Sequence, residues 1–202
     1  MERLRKEERL EEIARQIRLC RRCGLCDGRL NAIPGEGDPE SPVVFVGEAP
    51  GREEDEQGRP FVGFAGKLLD RLLEEAGLRR EDVYIANILK CRPPGNRRPK
   101  SDEMRKCAQH LDAQLEVISP MIVAPMGNSA VVQMMKKYGL KRERIGRVHG
   151  EVLPVEASWG SVCLFPLYHP AAVLYNRRLQ KELKKDLESL KDILDSCGAP
   201  RR

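Results

Sequence analysis

Val43-Val44-Phe45-Val46 followed by Gly47-Glu48-Ala49-Pro50-Gly51 is the stretch whose reading decides the fold. The first four residues form a short apolar run of the kind that fills a fully buried strand. The next five stop it with two glycines and a proline, and leave a carboxylate just past the strand end. A second pair has the same form: Val162-Cys163-Leu164-Phe165 runs on to His169-Pro170-Ala171-Ala172. In open α/β sheets, ligands sit in the crevice beyond the carboxyl ends of the strands. Two polar segments at two strand ends therefore propose one site, with a carboxylate and close backbone from one piece and a histidine from the other.

Working outward, Leu68, Leu69, Leu72, Leu73 and Ala76 repeat with helical spacing, and Gly77 is the stop. Strands are predicted at 83–89, 121–124 and 162–167, and an edge strand at 148–155 where Pro154 is tolerated. Ser101 is the expected N-cap of a helix to about Ile118, and Asn128 or Ser129 that of a helix to Tyr138. Leu4, Leu10, Ile13 and Ile17 mark a first helix to about Leu19; Leu179, Leu183, Leu187, Leu190 and Leu194 mark a last one, about 177–195. Segments 24–42, 47–66 and 91–100 read as loops. Strands alternating with helices imply an α/β chain with a central, mostly parallel sheet flanked by helices. The expectation is a single domain over 1–202, whose N-terminal helix and first cysteines occupy 1–30 and whose charged tail is 196–202.

The 202 residues are 41% hydrophobic, enough for a sizeable core. The first ten are charged throughout, unlike a signal peptide, and no run of about 18 apolar residues could cross a membrane. A protein without membrane association, in the cytoplasm, is expected. The net charge of +5 is modest, but Lys90, Arg92, Arg97, Arg98 and Lys100 cluster without an acid. Lys136, Lys137, Lys141, Arg142, Arg144 and Arg147 form a second group around Glu143. Such groups suit a phosphate backbone, and also a merely solvated surface. Seven cysteines, an odd number in a reducing compartment, favour metal or cluster ligation over disulfides. Cys20 and Cys23 form a C-x2-C pair, with Cys91 and Cys107 far along the chain.

The Gly47–Gly51 and His169–Ala172 motifs, with four separated cysteines, resemble the iron–sulfur (family 4) branch of the uracil-DNA glycosylase superfamily. The likeness covers about residues 20–195. It implies the α/β/α fold of that superfamily and hydrolysis of the bond between uracil and deoxyribose in DNA, leaving an abasic site for base excision repair. It further implies that Cys20, Cys23, Cys91 and Cys107 hold a [4Fe-4S] cluster, although zinc suits an all-thiolate set equally. Glu48, Ala49, Pro50 and Gly51 would contact uracil and the attacking water, with Glu48 and His169 as the catalytic pair. Superfamily members of strongest activity carry aspartate where this chain has Glu48, so Glu54 and Asp55 stand as alternative acids. Phe61 would stack on the flipped base. Asn87 would pair with its O4 and N3–H, which cytosine presents reversed. A neutral His169 would donate to O2. Val173 or Leu174 would wedge into the vacated stack, with Asn176, Arg177 and Arg178 near phosphate.

Other residues are assigned as follows. Cys26 is a spare thiol despite its C-x2-C spacing from Cys23, Cys163 a small core residue, and Cys197 free. No lysine sits in a motif suited to Schiff-base chemistry. The alternative to turnover is covalent capture of uracil-DNA through His149, in Arg144-Ile145-Gly146-Arg147-Val148-His149. That segment is loosely similar to a basic motif of a capturing branch of the superfamily. The partner expected throughout is uracil-containing DNA; repair or replication proteins are left unspecified.

Overall fold

A computed structural model describes residues 1–174 and 176–197; of the predicted tail, 198–202 lie outside the described residues. In chain order the elements are α1 (Glu2–Leu19), β1 (Glu36–Gly37), β2 (Val43–Gly47), α2 (Arg52–Gln57), α3 (Phe64–Glu75), β3 (Tyr84–Asn87), α4 (Ser101–Ile118), β4 (Ile122–Pro125), α5 (Gly127–Lys137), α6 (Ile145–Val148), β5 (Leu153–Ala157), β6 (Gly160–Leu164), α7 (Pro170–Val173) and α8 (Arg177–Ser196). One six-stranded sheet runs β1-β3-β2-β4-β6-β5. Its four central strands are parallel, and the edges β1 and β5 are antiparallel. The expected mostly parallel sheet is therefore borne out.

Side chains alternate across the sheet, as strand geometry dictates. Val43 and Phe45 face α3 and α8, packing with Leu69, Leu72, Leu73, Leu183 and Leu187. Val44 and Val46 face α4 and α5, packing with Leu111, Leu115, Val131 and Met134. A third, smaller cluster joins Ile17 of α1 to Leu25, Leu89, Cys91 and Cys107. Truncating a fully buried member such as Leu72 to alanine should cost about 2–5 kcal/mol.

The structure corrects several boundaries. The segment 148–155 is not one strand: α6 precedes it, Gly150 turns at φ +71°, and only Leu153–Ala157 pairs, on the edge as Pro154 requires. The loop 47–66 contains α2, and 24–42 contains β1. Ser101 is the first helical residue rather than the cap; Glu103 caps instead, accepting from Lys100 N–H at 2.7 Å. Helix α5 begins at Gly127, and Asn128 accepts from Ile145 N–H instead of capping. The last central strand ends at Leu164, beyond which Leu167 makes only an isolated bridge to Met126.

Candidate active site and cysteine cavity

The site grows from the register of β2 and β3, which sets Gly47 beside Asn87 at their carboxyl ends. Pairing continues past both strands: Ile88 N–H donates to Gly47 O and Leu89 N–H to Glu48 O, each at 3.0 Å. Gly47 must be glycine, because a Cβ there would collide with Asn87 Oδ1 and stand 2.7 Å from Phe61 Cζ. Asn87 is 2% exposed, and its Oδ1 is buried with no hydrogen-bond partner. An orphaned buried acceptor costs about 1–3 kcal/mol unless a ligand satisfies it.

Phe61 is buried beside this amide at φ +51°, a left-handed conformation uncommon for an aromatic residue. The conformation is enforced from several sides. Arg80 donates to Pro60 O at 2.6 Å and Phe61 O at 3.2 Å, and the bare Gly66 lets the Phe61 carbonyl lie against α3. Arg80 is itself held by Asp70 and Glu36. Burial opposes ionisation of Glu36, but hydrogen bonds from Arg59 and Arg80 outweigh it and hold the carboxyl below its usual range.

His169 lies beyond β6, half-buried, with its ring 5.6 Å from that of Phe61. Its Nδ1 accepts from Ala171 N–H at 3.1 Å. A backbone amide can only donate, so the proton of the neutral ring is on Nε2. Burial lowers its pKa to about 4, with only a weak upward pull from Glu54. The ring is therefore neutral at pH 7 and presents one donor. Gly127, at φ +84°, lets the chain pass close against His169 Cβ.

Of the three candidate acids Glu48, Glu54 and Asp55, two are engaged in structure. Glu54 Oε2 accepts from Gly51 N–H and its Oε1 from Val62 and Gly63 N–H, all at 3.0 Å. Asp55, 2% exposed, accepts from Leu30 and Asn31 N–H. Glu48 remains, half-buried in a groove it shares with His169, Arg98, Ser129 and Gln133. The clamp formed by Glu54 between the Gly51 turn and the Phe61 segment is a functional feature that sequence reasoning missed. A signal existed: Gly51-x-x-Glu54 has the spacing of a capping box.

The remaining predicted residues divide. Ala49 packs toward the cysteine-containing cluster, so it offers the pocket only backbone. Pro50 is buried. Val173 is fully buried in the core, which removes it as a wedge and leaves the half-buried Leu174. Asn176 caps α8 by accepting from Arg178 and Leu179 N–H; Arg177 and Arg178 are exposed. In the basic loop, Lys90 is 1% exposed, Arg92 bonds Asn96, and Arg97 is bidentate on Glu103. Arg98 and Lys100 are the exposed cations that remain. His149 Nδ1 meets Asp186 Oδ2 at 2.8 Å, and its ring lies 4.5 Å from that of Tyr168.

Cys20, Cys23, Cys91 and Cys107 line one cavity, and Cys26 touches it too. Arg29 donates to Cys91 Sγ at 2.9 Å and Lys90 N–H to Cys107 Sγ at 3.3 Å. Burial pushes the Cys107 thiol up to about 11 and raises that of Cys91. Thiolates there therefore need a metal cation to compensate them, which suits the donor set. Cys26 differs: desolvation and then Asp27, to which its thiol donates, raise it. Among the described residues no three His, Cys, Asp or Glu side chains are grouped as a single metal ion requires.

Comparison with known proteins agrees with this geometry. The model of the uracil DNA glycosylase superfamily matches residues 34–192. A type-4 uracil-DNA glycosylase of Archaeoglobus fulgidus is 46% identical over 192 residues, 95% of this chain and 94% of the relative. One from Saccharolobus solfataricus is 45% identical over 190 residues, 94% of this chain and 88% of its own. One from Thermotoga maritima is 40% identical over 196 residues, covering 96% and 98%.

Proposed function

The chain belongs to the uracil-DNA glycosylase superfamily, and from that premise we propose how its own residues excise uracil from DNA and leave an abasic site. The carrying observation is the orphaned Asn87 amide beside a donor-only His169. Uracil enters flipped from the duplex, at a cost of a few kcal/mol. Stacking on Phe61 returns about 1–3 kcal/mol of that. Asn87 Oδ1 accepts from N3–H while its NH2 donates to O4, an arrangement that cytosine would leave unpaired.

Water oxygen bonds to C1′ as the C1′–N1 bond breaks, and the bonding pair leaves on uracil. The growing charge spreads to O2, where His169 Nε2–H donates. A preorganised donor of this kind is worth about 10²–10³ in rate. Glu48 orients the water and takes its proton, which finally neutralises the departing base. Leu174 fills the gap in the stack, and Arg98, Arg177 and Arg178 meet phosphates.

The four cysteines hold a [4Fe-4S] cluster in this reading, and the cluster supplies no step of the hydrolysis. Zinc on the same four thiolates is the alternative, and metal analysis of the purified protein separates the two. The cluster ties α1, the loop after β3 and α4 together. Leu89, two residues before Cys91, carries that restraint to Glu48.

Incubation with a labelled uracil-containing oligonucleotide, then alkali and a denaturing gel, tests the reading. Cleavage at uracil with many turnovers is expected. A denaturation-resistant adduct would favour capture through His149 instead, and neither product nor adduct would reject both. Among the described residues no helix is long and apolar enough to cross a membrane.

A further inference from the structure

Lys90 is among the largest fully buried side chains of the molecule, and it is charged. Its Nζ donates to Pro34 O at 3.0 Å and to Gln114 Oε1 at 2.6 Å, both neutral acceptors. Among the described residues no carboxylate lies within ion-pair distance of it. A buried ammonium without an anion is costly by several kcal/mol, so the fold must supply negative charge in some other form. Asp112, which Lys137 holds, acts on Lys90 only from beyond ion-pair distance; the nearer source is the cysteine cavity, which Lys90 lines beside Cys91 and Cys107.

The rest of that wall has the same sign. Arg22, Arg29 and Lys106 line it, and no Asp or Glu does. His110 adds an Nε2 that is buried without a partner. With the cysteines as thiolates, cations and donors in the rest of the wall suit a metal core whose charge, summed with that of its thiolates, is negative. Four thiolates around a [4Fe-4S] core give a net negative group in either common oxidation state.

We propose that the Lys90 ammonium is the buried counter-charge of this cluster, governing how firmly it is held and how readily it accepts an electron. The inference rests on the cluster reading given above. It assigns Lys90, which lies in the basic loop, to the protein's interior electrostatics and not to DNA. On reduction one electron passes from an added reductant such as dithionite to the irons, no bond forms or breaks, and the cluster gains one negative charge. Lys90 favours that more negative state.

The test compares the anaerobically purified wild type with Lys90→Met and Lys90→Gln. Iron and sulfide are quantified, iron release to a ferrous chelator is timed, and the potential is found by dithionite titration followed by electron paramagnetic resonance. Both variants should release iron about tenfold faster or more and show a more negative potential. Equal release rates and potentials in wild type and variants would overturn the inference while leaving the cluster reading intact. So would wild-type behaviour of Lys90→Gln alone, since that side chain restores a hydrogen bond but not the charge. A wild type carrying zinc and no iron would overturn the cluster reading itself, and this inference with it. Should Lys90→Met not fold, Lys90→Gln carries the same comparison.

Discussion

At the ends of β2 and β3 the protein leaves polar atoms waiting: an acceptor on Asn87 with no partner and a neutral ring with one free donor. Around the cysteines it does the reverse, surrounding thiols with cations and hydrogen-bond donors. The first hollow is preorganised for a guest that comes and goes, so its unsatisfied atoms are a standing cost recovered on binding. The second, in the cluster reading, is arranged for a permanent occupant whose charge belongs to the folded state. The two share one span of backbone, because Leu89 holds Glu48 and precedes Cys91 by two residues. The difference teaches that catalysis and stability should separate on mutation at one hollow and move together at the other.

Stripping iron with a chelator under reducing conditions is the most severe test of that contrast. Excision and the thermal midpoint should both fall, because metal binding free energy at such sites is folding free energy; unchanged melting would break the comparison. Asn87→Ala should lower excision by about 10⁴-fold with little change in melting, because it deletes an unpaired buried acceptor and buries no charge. A comparable loss of stability would mean that Asn87 is structural.

His169→Ala should cost about 10²–10³ in kcat, again without unfolding. Its pH behaviour sharpens the point. The folded ring has a pKa of about 4 against 6.5 when unfolded, so between those values the unfolded chain binds the proton more readily. Its contribution to stability is complete above 6.5 and is lost as pH falls towards 4, by roughly 3 kcal/mol in all. Denaturant melts of wild type and His169→Gln from pH 7 to 4 should converge on the acid side. Excision should show no inflection from this ring near 6.5.

Glu54→Gln should loosen both the Gly51 turn and the Phe61 segment, raising KM several-fold and costing roughly 2 kcal/mol. An effect on kcat with KM unchanged would make Glu54 a proton carrier after all. Arg98→Ala should be the mildest change, weakening DNA binding evenly across sequences and lowering the slope of log K against log salt by about 1.

The apolar runs made the parallel sheet legible, since β2 and β4 are short hydrophobic strands buried on both faces, whereas β6 buries only Val162 and Leu164. The edge β1 was hidden because it is a two-residue strand, Glu36–Gly37, with no apolar signature. The strand expected from 148 failed for a different reason. Apolar Val148 and Val152 satisfy a strand pattern, yet Gly150 turns the chain between them. At the site, Asn87 and His169 stood out as polar residues at strand ends. The roles of Glu54, Arg80 and Lys90 did not, because each depends on partners far away in the chain. Charge counting also overstated the basic loop: the sequence cannot show that Glu103 neutralises Arg97 or that Lys90 turns inward.

The scattering of the cavity's cysteines has a consequence for how the protein is made. Cys20 and Cys23 emerge from the ribosome early, whereas Cys107 follows only after more than half the chain has been translated. At about 5–20 residues per second, the first pair waits roughly 4–17 s for the last ligand. During that interval the cavity has no floor, and α4 has yet to form the wall that closes it. A cluster delivered too early would meet two thiols on an unfinished chain. In the cluster reading, maturation is therefore a late event, timed by translation of the middle third of the chain.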